Sequence, residues 1–212
     1  MKSLSAQIID RYLLLYLIDK TNKSEEITGK VKLQKLTFLC EWELNKEEYK
    51  GFNFMFFRHY NGPFSKELAC DYDFLAENNF VNKNKYTLTE RGKKLLNSFF
   101  SDIVKRDYNK LIIKGMDRTI LKWARYTGEQ LMDIVYKFKV KTYVNPDREL
   151  MIKDIPAFID IIGPGLINYK QEFKIGDNLL EDLNYNFETT DENKRKMKML
   201  SNISYKERFA QI

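Results

Sequence analysis

The most informative segment of this chain is residues 28–44, which read TGKVKLQKLTFLCEWEL. Thr28 is of the type that accepts backbone N–H groups at the start of a helix. The apolar side chains after it recur at helical spacing and are expected to point inward; they are Val31, Leu33, Leu36, Leu39 and Cys40. The pattern predicts a helix that buries this face and turns Lys30, Lys32 and Lys35 toward solvent.

Periodic segments on both sides predict further helices. Apolar residues three and four apart predict one helix from Leu4 to about residue 20. Another is expected to start at Ser65, and a third to follow Thr89 as its cap. Between these two, residues 80–81 and 86–88 predict a hairpin with a turn at 82–84. Three helices, a hairpin and another helix is the order of winged-helix modules, so we expect a mainly helical α+β fold. It would be a compact helical domain with a small antiparallel sheet and a winged-helix-like N-terminal part.

An aromatic run and a turn lie between the second and third helices. Residues 52–58, FNFMFFR, are rich in aromatic side chains and predict a strand. In the turn that follows, Gly62 permits a positive φ and Pro63 fixes the next residue. One interpretation is a rigid joint between strand and helix. The other is that this joint aims the helix at a partner, with Tyr60 and Phe64 as exposed aromatic anchors.

The second half of the chain is predicted to be helical but more often interrupted. Residues 108–114 and 117–126 each predict a helix, and Thr127 with Gln130 has the spacing of a capping box that opens another through residue 138. Lysines at 137, 139 and 141 indicate either a basic strand edge or a helix end. Short helices are expected at 157–162, 178–185 and 191–203, and a turn at 163–165. We predict a domain at 1–144 and, at 145–212, an extension that packs on it or forms an arm.

The charged residues bear on possible partners. Lysine and arginine number 36 and aspartate and glutamate 30, which gives a net charge of +6. This excess is divided between the two halves of the chain and interrupted by acidic pairs such as Glu25-Glu26. Proteins dedicated to DNA concentrate their cations on one face. The distribution therefore gives little support to nucleic acid as the partner.

The residues that chemistry requires are few. His59 is the single histidine, and no nucleophile and carboxylate stand at a recognisable spacing from it. Cys40 and Cys70 lie in apolar surroundings in the sequence and are predicted to be buried free thiols. One histidine and two distant cysteines make no recognisable metal site. We therefore predict no catalytic residue, no metal and no cofactor, and a protein that is not an enzyme.

Neither export nor membrane insertion is predicted. The longest apolar stretch, Tyr12 to Ile18, has seven residues, where a transmembrane helix needs about twenty. The first four residues lead into a helical pattern with no signal-peptide cleavage site. We therefore expect a cytoplasmic protein with no membrane partner, while its oligomeric state stays open.

Three stretches together resemble a known family. Residues 31–39, VKLQKLTFL, precede the aromatic run, which is followed by NGPFSKEL at 61–68 and by Leu75 and Phe80-Val81. This order resembles the Panacea domain, also called SocA-like, over about residues 4 to 140. The chain departs from the family pattern in the extra residue of Tyr60-Asn61-Gly62-Pro63, and near 136–143, where a histidine and a Pro-Trp pair are missing.

The resemblance implies a protein-binding module rather than an enzyme. Members of the family act as antitoxins or adaptors in toxin–antitoxin pairs, and related proteins occur in phages and mobile elements. Neutralisation of a toxin or effector by direct binding is the function it implies. The residues expected to contact the partner are Lys32, Lys35, Tyr60, Asn61 and Phe64. Those expected to support the motif are Leu33, Gln34, Leu36, Gly62, Pro63 and Ser65.

The alternative is a winged-helix regulator that binds nucleic acid. Its third helix would enter the major groove, and Lys83 and Lys85 in the wing would contact phosphate. Four acidic residues on that helix oppose this interpretation because phosphate would repel them; they are Glu67, Asp71, Asp73 and Glu77.

Overall fold

The computed structural model describes residues 2–142, 144–162 and 168–189. The helices found in these residues are α1 (Leu4–Asn22), α2 (Lys30–Lys46), α3 (Lys66–Glu77), α4 (Glu90–Ile103), α5 (Asp107–Trp123), α6 (Gly128–Val135) and α7 (Asp177–Glu188). The strands are short and comprise β1 (Tyr49–Lys50), β2 (Phe56–His59), β3 (Gly62–Phe64), β4 (Val81–Asn82), β5 (Thr87–Leu88), β6 (Lys139–Val140), β7 (Leu150–Met151), β8 (Asp160–Ile162) and β9 (Gln171–Glu172). This confirms the mainly helical α+β class and the predicted order of helices and hairpin in the N-terminal part.

Side-chain caps start several of the helices where the sequence predicts them. Ser65 Oγ accepts the N–H of Leu68 at 3.3 Å, and Thr127 and Gln130 form a complete capping box at the start of α6. The predicted cap at Thr28 is wrong. Gly29 is the N-cap of α2, with φ 149° and no side-chain hydrogen bond. Its backbone conformation is readily available only to glycine, so the helix begins one residue later than a threonine cap would place it.

The core is centred on α1 and α2. Residues 12–15 of α1 are completely buried, and α1 contacts α3, α4 and α5. Helix α2 contacts α5 and α6. The two helices predicted at 108–114 and 117–126 are one helix, α5, with Gly115 in its middle. A Cβ at Gly115 would lie 2.6 Å from Leu44 Cδ2, so glycine is retained there because α2 and α5 approach closely.

The sheets are small and mostly antiparallel. β2 pairs with β3 on one side and with β8 on the other, and β4 pairs with β5, and β6 with β7, all antiparallel. β1 and β9 form a short parallel pair. The helix predicted at 157–162 is wrong, because these residues complete the edge of β2: Arg58 N–H donates to the Ile159 carbonyl at 2.8 Å. The strand predicted at 52–58 is confirmed only from Phe56 onward.

The chain divides into two units, residues 1–175 and 176–212. Three strand pairs join β7, β8 and β9 to earlier segments of the first unit. The boundary predicted at residue 144 stays a prediction. In the second unit the described part contains α7, which confirms the helix predicted at 178–185. The helix predicted at 191–203 and the turn predicted at 163–165 lie outside the described residues. No helix in the described part is both long and apolar enough to cross a membrane.

The two cysteines occupy different environments. Cys40 is buried in α2, as predicted, and both thiols are free. Cys70 is exposed, so the prediction that it is buried is wrong. On α3 the buried apolar face is formed by Leu68, Tyr72 and Leu75, and Cys70 falls on the opposite side of that helix.

Candidate functional site

Five rings form a continuous cluster on the surface of the first unit. We call it the aromatic cluster, and its members are Phe57, His59, Tyr60, Phe64 and Phe158. His59 lies at its centre, with ring centroids 5.2 Å from Tyr60 and 5.3 Å from Phe64. Phe158 lies just before β8, and its ring centroid is 5.8 Å from that of Tyr60 in an edge-to-face arrangement. The cluster therefore combines the β2–β3 hairpin with a residue about one hundred positions further along the chain.

The outer rings of the cluster are open to solvent. Tyr60 is 69% exposed and Phe158 is 60% exposed, while the other three rings are half-buried. Single exposed apolar side chains are common on soluble proteins, but a contiguous exposed group is typical of an interaction surface. Tyrosine and phenylalanine are also enriched where proteins bind one another. The predicted anchors Tyr60 and Phe64 therefore belong to a larger surface than the sequence indicated.

Phe158 is held in an unusual backbone conformation. Its φ is +68°, which bulky residues adopt rarely and at a cost of about 1–3 kcal/mol. Its N–H donates to the Arg58 carbonyl at 2.6 Å, which ties this conformation to β2. This backbone conformation places the exposed Phe158 ring beside Tyr60, where it extends the apolar surface.

Polar and cationic side chains support the edge of the cluster. The Tyr136 hydroxyl donates to the backbone carbonyl of Tyr60. The Arg58 guanidinium lies 5.3 Å from the ring centre of Tyr136, and the Lys66 ammonium lies 6.0 Å from that of Phe57. Asn61, another predicted contact residue, is exposed at the tip of the hairpin. The apolar surface is thus bordered by two cations.

Helix α2 fixes the base of the hairpin. The Gln34 side-chain oxygen accepts the Ser65 N–H at 2.9 Å, and its amide donates to the Ser65 carbonyl at 2.9 Å. Gly62 has φ +85°, as the sequence predicted for the turn. Leu33 and Leu36 lie in the core. The two motifs that were identified separately in the sequence, at 31–39 and at 61–68, are therefore joined by direct hydrogen bonds.

The prediction that Lys32 and Lys35 face solvent is wrong. Both are buried, at 4% and 2% exposed. Lys35 Nζ donates to the Pro63 carbonyl at 2.7 Å, and Lys32 Nζ donates to the Glu26 carbonyl at 2.6 Å. Burial lowers the pKa of Lys35 to about 7, because the charged form is poorly solvated there. The physical reason is that the hairpin and the segment before α2 cover this side of the helix, so both lysines position backbone instead of meeting a partner.

A stripe of polar residues on α2 is also buried, and the sequence analysis missed it. It consists of Gln34, Thr37, Glu41 and Asn45, which share one face of the helix. Glu41 accepts backbone N–H groups from Phe52 at 2.9 Å and from Gly51 at 3.3 Å. Burial raises the pKa of Glu41 to about 8. The sequence shows the helical spacing of these residues, but a polar face of a helix is normally exposed to solvent. Here it is buried because segments distant in the sequence pack against it.

A second buried carboxylate holds the same aromatic segment. Asp10 on α1 accepts the Asn53 N–H at 2.7 Å and forms an ion pair with Lys2. Its pKa is raised to about 6 by burial, against the opposing effect of Lys2. The backbone N–H groups of residues 51–53 and of Met55 therefore donate to side-chain carboxylates instead of to a strand partner, which explains why the predicted strand starts only at Phe56.

The acidic helix α3 is less negative at its surface than its sequence suggests. Asp71 is bonded by Arg11 at 2.7 Å and by Lys2 at 3.2 Å, and Glu67 accepts the Met55 N–H. Asp73 forms an ion pair with Lys83. The acidic residues on this helix therefore serve partly as internal supports, which weakens the electrostatic argument that was made from them against DNA.

No protein-family model, curated protein or solved structure matches this chain. The resemblance to the Panacea domain stays a prediction from residues 31–81.

Proposed function

We propose that this chain is a non-catalytic protein-binding module, antitoxin-like or adaptor-like, that neutralises a toxin or effector by direct binding through the aromatic cluster. The observation that carries the proposal is the exposed, contiguous group of rings formed by the β2–β3 hairpin and by Phe158, which precedes β8. Aromatic side chains supply large contact area with few rotatable bonds, and they dominate many protein interfaces.

The borders of the cluster indicate the chemistry of the partner. Arg58 and Lys66 provide positive charge beside the rings. A small cavity of about 160 Å³ next to Phe64 and His59 has room for a single side chain from the partner. We therefore expect the partner to present an apolar side chain surrounded by carboxylates, since complementary charge steers association and apolar burial supplies affinity.

The hairpin is held rigidly before any partner arrives. The paired hydrogen bonds between Gln34 and Ser65 and the bond from Lys35 to Pro63 fix it to the core helix. A surface that is already ordered loses little conformational entropy on binding, which favours affinity. The role assigned to Lys35 is thus to position the binding surface.

The proposal is tested by affinity purification from the native host with a pair of matched variants. Tyr60→Ala combined with Phe158→Asn removes both exposed rings, and asparagine tolerates the positive φ of position 158. Leu121→Ala is the control, because Leu121 is 80% exposed on α5, outside the cluster. We expect one stoichiometric protein partner that is retained by wild type and the control and lost by the double variant.

Two results would contradict the proposal. One is a partner that binds the double variant as tightly as wild type once both are purified. The other is salt-sensitive retention on DNA without any protein partner, which would favour the winged-helix alternative. A neighbouring reading frame that is toxic alone, and harmless when this chain is co-expressed, would identify the partner as a toxin.

A further inference from the structure

Among the described residues, the sheet that carries the aromatic cluster offers no open edge to a strand of the partner. One edge is β3, where Pro63 has no N–H and its carbonyl already accepts a hydrogen bond from Lys35 at 2.7 Å. The other edge is β8, whose middle residue, Ile161, is only 2% exposed. A peptide that adds a strand binds through main-chain hydrogen bonds to such an edge. This mode of recognition is therefore closed to the partner.

The concave part of the cluster is too small for a helix. The cavity beside Phe64 and His59 has a volume of about 160 Å³. An amphipathic helix places side chains from two or three turns in one groove, which requires about 10–16 Å of its length. The cavity has room for one side chain, so the other contacts to a ligand are made by the exposed rings.

The exposed rings form ridges, because neighbouring rings meet nearly at right angles. The interplanar angle is 87° between Tyr60 and Phe158 and 78° between His59 and Phe158. A flat stack would present one smooth face, whereas crossed rings leave grooves between them. Aromatic-lined grooves are the surfaces on which extended proline-rich segments bind. Such segments form the polyproline II helix before binding and so lose little entropy when they bind.

Two hydrogen-bond donors stand beside the rings. The Tyr60 hydroxyl and the Asn61 amide belong to exposed side chains at the tip of the hairpin, and neither forms a hydrogen bond with a described residue. A polyproline II helix has no internal hydrogen bonds, so its carbonyls are free acceptors, and proline has no N–H of its own. In an α-helix most carbonyls are already bonded internally. Exposed donors beside aromatic rings therefore suit a proline-rich ligand better than a helical one.

The charges around the cluster favour acidic residues next to the prolines. Arg58 and Lys66 border the rings and Lys30 lines the cavity, and none of the three forms an ion pair with a described residue. Asp160 lies opposite Phe57 in the strand register and offsets part of this positive charge. Complementary charge orients a ligand and speeds its association. A segment that carries carboxylates beside its prolines therefore fits this border.

We propose that the aromatic cluster binds a proline-rich segment of the partner in the polyproline II conformation, with acidic residues beside the prolines. One proline ring enters the cavity beside Phe64, and Tyr60 and Asn61 donate hydrogen bonds to backbone carbonyls of the segment. The ligand class rests on the proposed function, since it names the part of the partner that the cluster holds.

His59 makes the test specific, because it is the single histidine of the chain and lies at the centre of the cluster. In the untagged full chain with isotope-labelled histidine, the NMR signals of its ring report on the cluster alone. The probe is a peptide of four Glu-Pro-Pro repeats, and peptides of Glu-Ala-Ala and Lys-Pro-Pro repeats are its matched controls. We expect Glu-Pro-Pro to shift the signals saturably with a dissociation constant of about 10–100 μM. The other two peptides should bind at least about tenfold more weakly.

Three variants assign the effect to the cluster. Tyr60→Ala combined with Phe158→Asn removes both exposed rings and should weaken Glu-Pro-Pro binding by at least about 30-fold. Tyr60→Phe keeps the ring and removes the hydroxyl, so it should weaken binding by about two- to tenfold. Leu121→Ala is the control, because Leu121 is exposed on α5 outside the cluster, and it should bind the peptide as tightly as wild type.

Four results would overturn the proposal. The first is no shift of the His59 signals at about 1 mM Glu-Pro-Pro, the weak end of measurable affinity. The second is equal binding of Glu-Ala-Ala, which would make the ligand any acidic segment or a helix. The third is undiminished binding to the double variant. The fourth is a shift that depends on protein concentration without peptide, which would place a second copy of the chain on the cluster.

Failure of the ligand class is distinguishable from failure of the proposed function. If the double variant loses the protein partner from the native host and no peptide binds wild type, the cluster binds protein but not through a proline-rich segment. If Glu-Pro-Pro binds wild type and competes with that partner, both proposals are supported. If the peptide binds and the partner is retained by the double variant, the cluster is a peptide site and the proposed function is wrong.

Discussion

Glu41→Gln should change how the stability of this protein depends on pH. Glu41 is 2% exposed in α2, and its Oε2 accepts two backbone N–H groups while its Oε1 has no partner among the described residues. Burial raises its pKa from 4.5 to about 8. The folded protein therefore holds a proton on Glu41 at neutral pH, whereas the unfolded chain releases it. Glutamine keeps an acceptor for the two N–H groups and cannot ionise.

The sign of the effect follows from proton binding. Between pH 4.5 and about 8 the folded state binds one more proton than the unfolded state at Glu41, so wild-type stability falls as pH rises through this window. Each pH unit is worth about 1.4 kcal/mol. From pH 5 to pH 7 the contribution of Glu41 to the free energy of unfolding should thus fall by about 3 kcal/mol. The glutamine variant lacks this term, so it gains on wild type by that amount.

The assay is urea unfolding of wild type and variant at pH 5, 6 and 7. The quantity of interest is the difference between the two free energies of unfolding, since titration of Asp10 and of other groups contributes to both proteins. Glu77→Gln is the control, because Glu77 is exposed on α3, and it should give a nearly constant difference. A difference for Glu41→Gln that changes by less than about 0.5 kcal/mol from pH 5 to pH 7 would refute the reasoning.

Three further substitutions test the supports of the fold. Lys35→Met removes a lysine whose pKa burial lowers to about 7. Above that pH the unfolded chain binds more protons at Lys35 than the folded protein does, so wild-type stability rises with pH and the variant lacks this rise. The free energy of unfolding of the variant relative to wild type should therefore fall by about 2 kcal/mol from pH 7 to pH 9 in urea unfolding. Gln34→Leu leaves the Ser65 N–H without its partner and removes one of the two hydrogen bonds to the Ser65 carbonyl, which still accepts the Ala69 N–H. It should lower the free energy of unfolding by about 2 kcal/mol, and a loss below about 0.5 kcal/mol would mean that these bonds contribute little. Gly92→Ala places a Cβ 2.1 Å from the Phe80 carbonyl oxygen, so it should cost about 2–3 kcal/mol, whereas Asn97→Ala at an exposed position of the same helix should leave the melting temperature almost unchanged.

Local features of the fold were predictable from the sequence. The caps at Ser65 and Thr127 and the hairpin before α4 depend on residues within a few positions of one another. These predictions hold because each cap or turn forms its hydrogen bonds within its own segment. The wrong prediction of an N-cap at Thr28 also has a local cause, since the glycine after it determines where α2 begins.

Features that depend on distant residues could not be predicted in the same way. Residues 157–162 have a helical pattern, yet they pair with β2 about one hundred positions earlier. Lys35 has the sequence context of a surface lysine, and its burial results from the hairpin that folds over it. The binding surface was predictable at Tyr60 and Phe64, but Phe158 was not, because nothing local places it beside the hairpin.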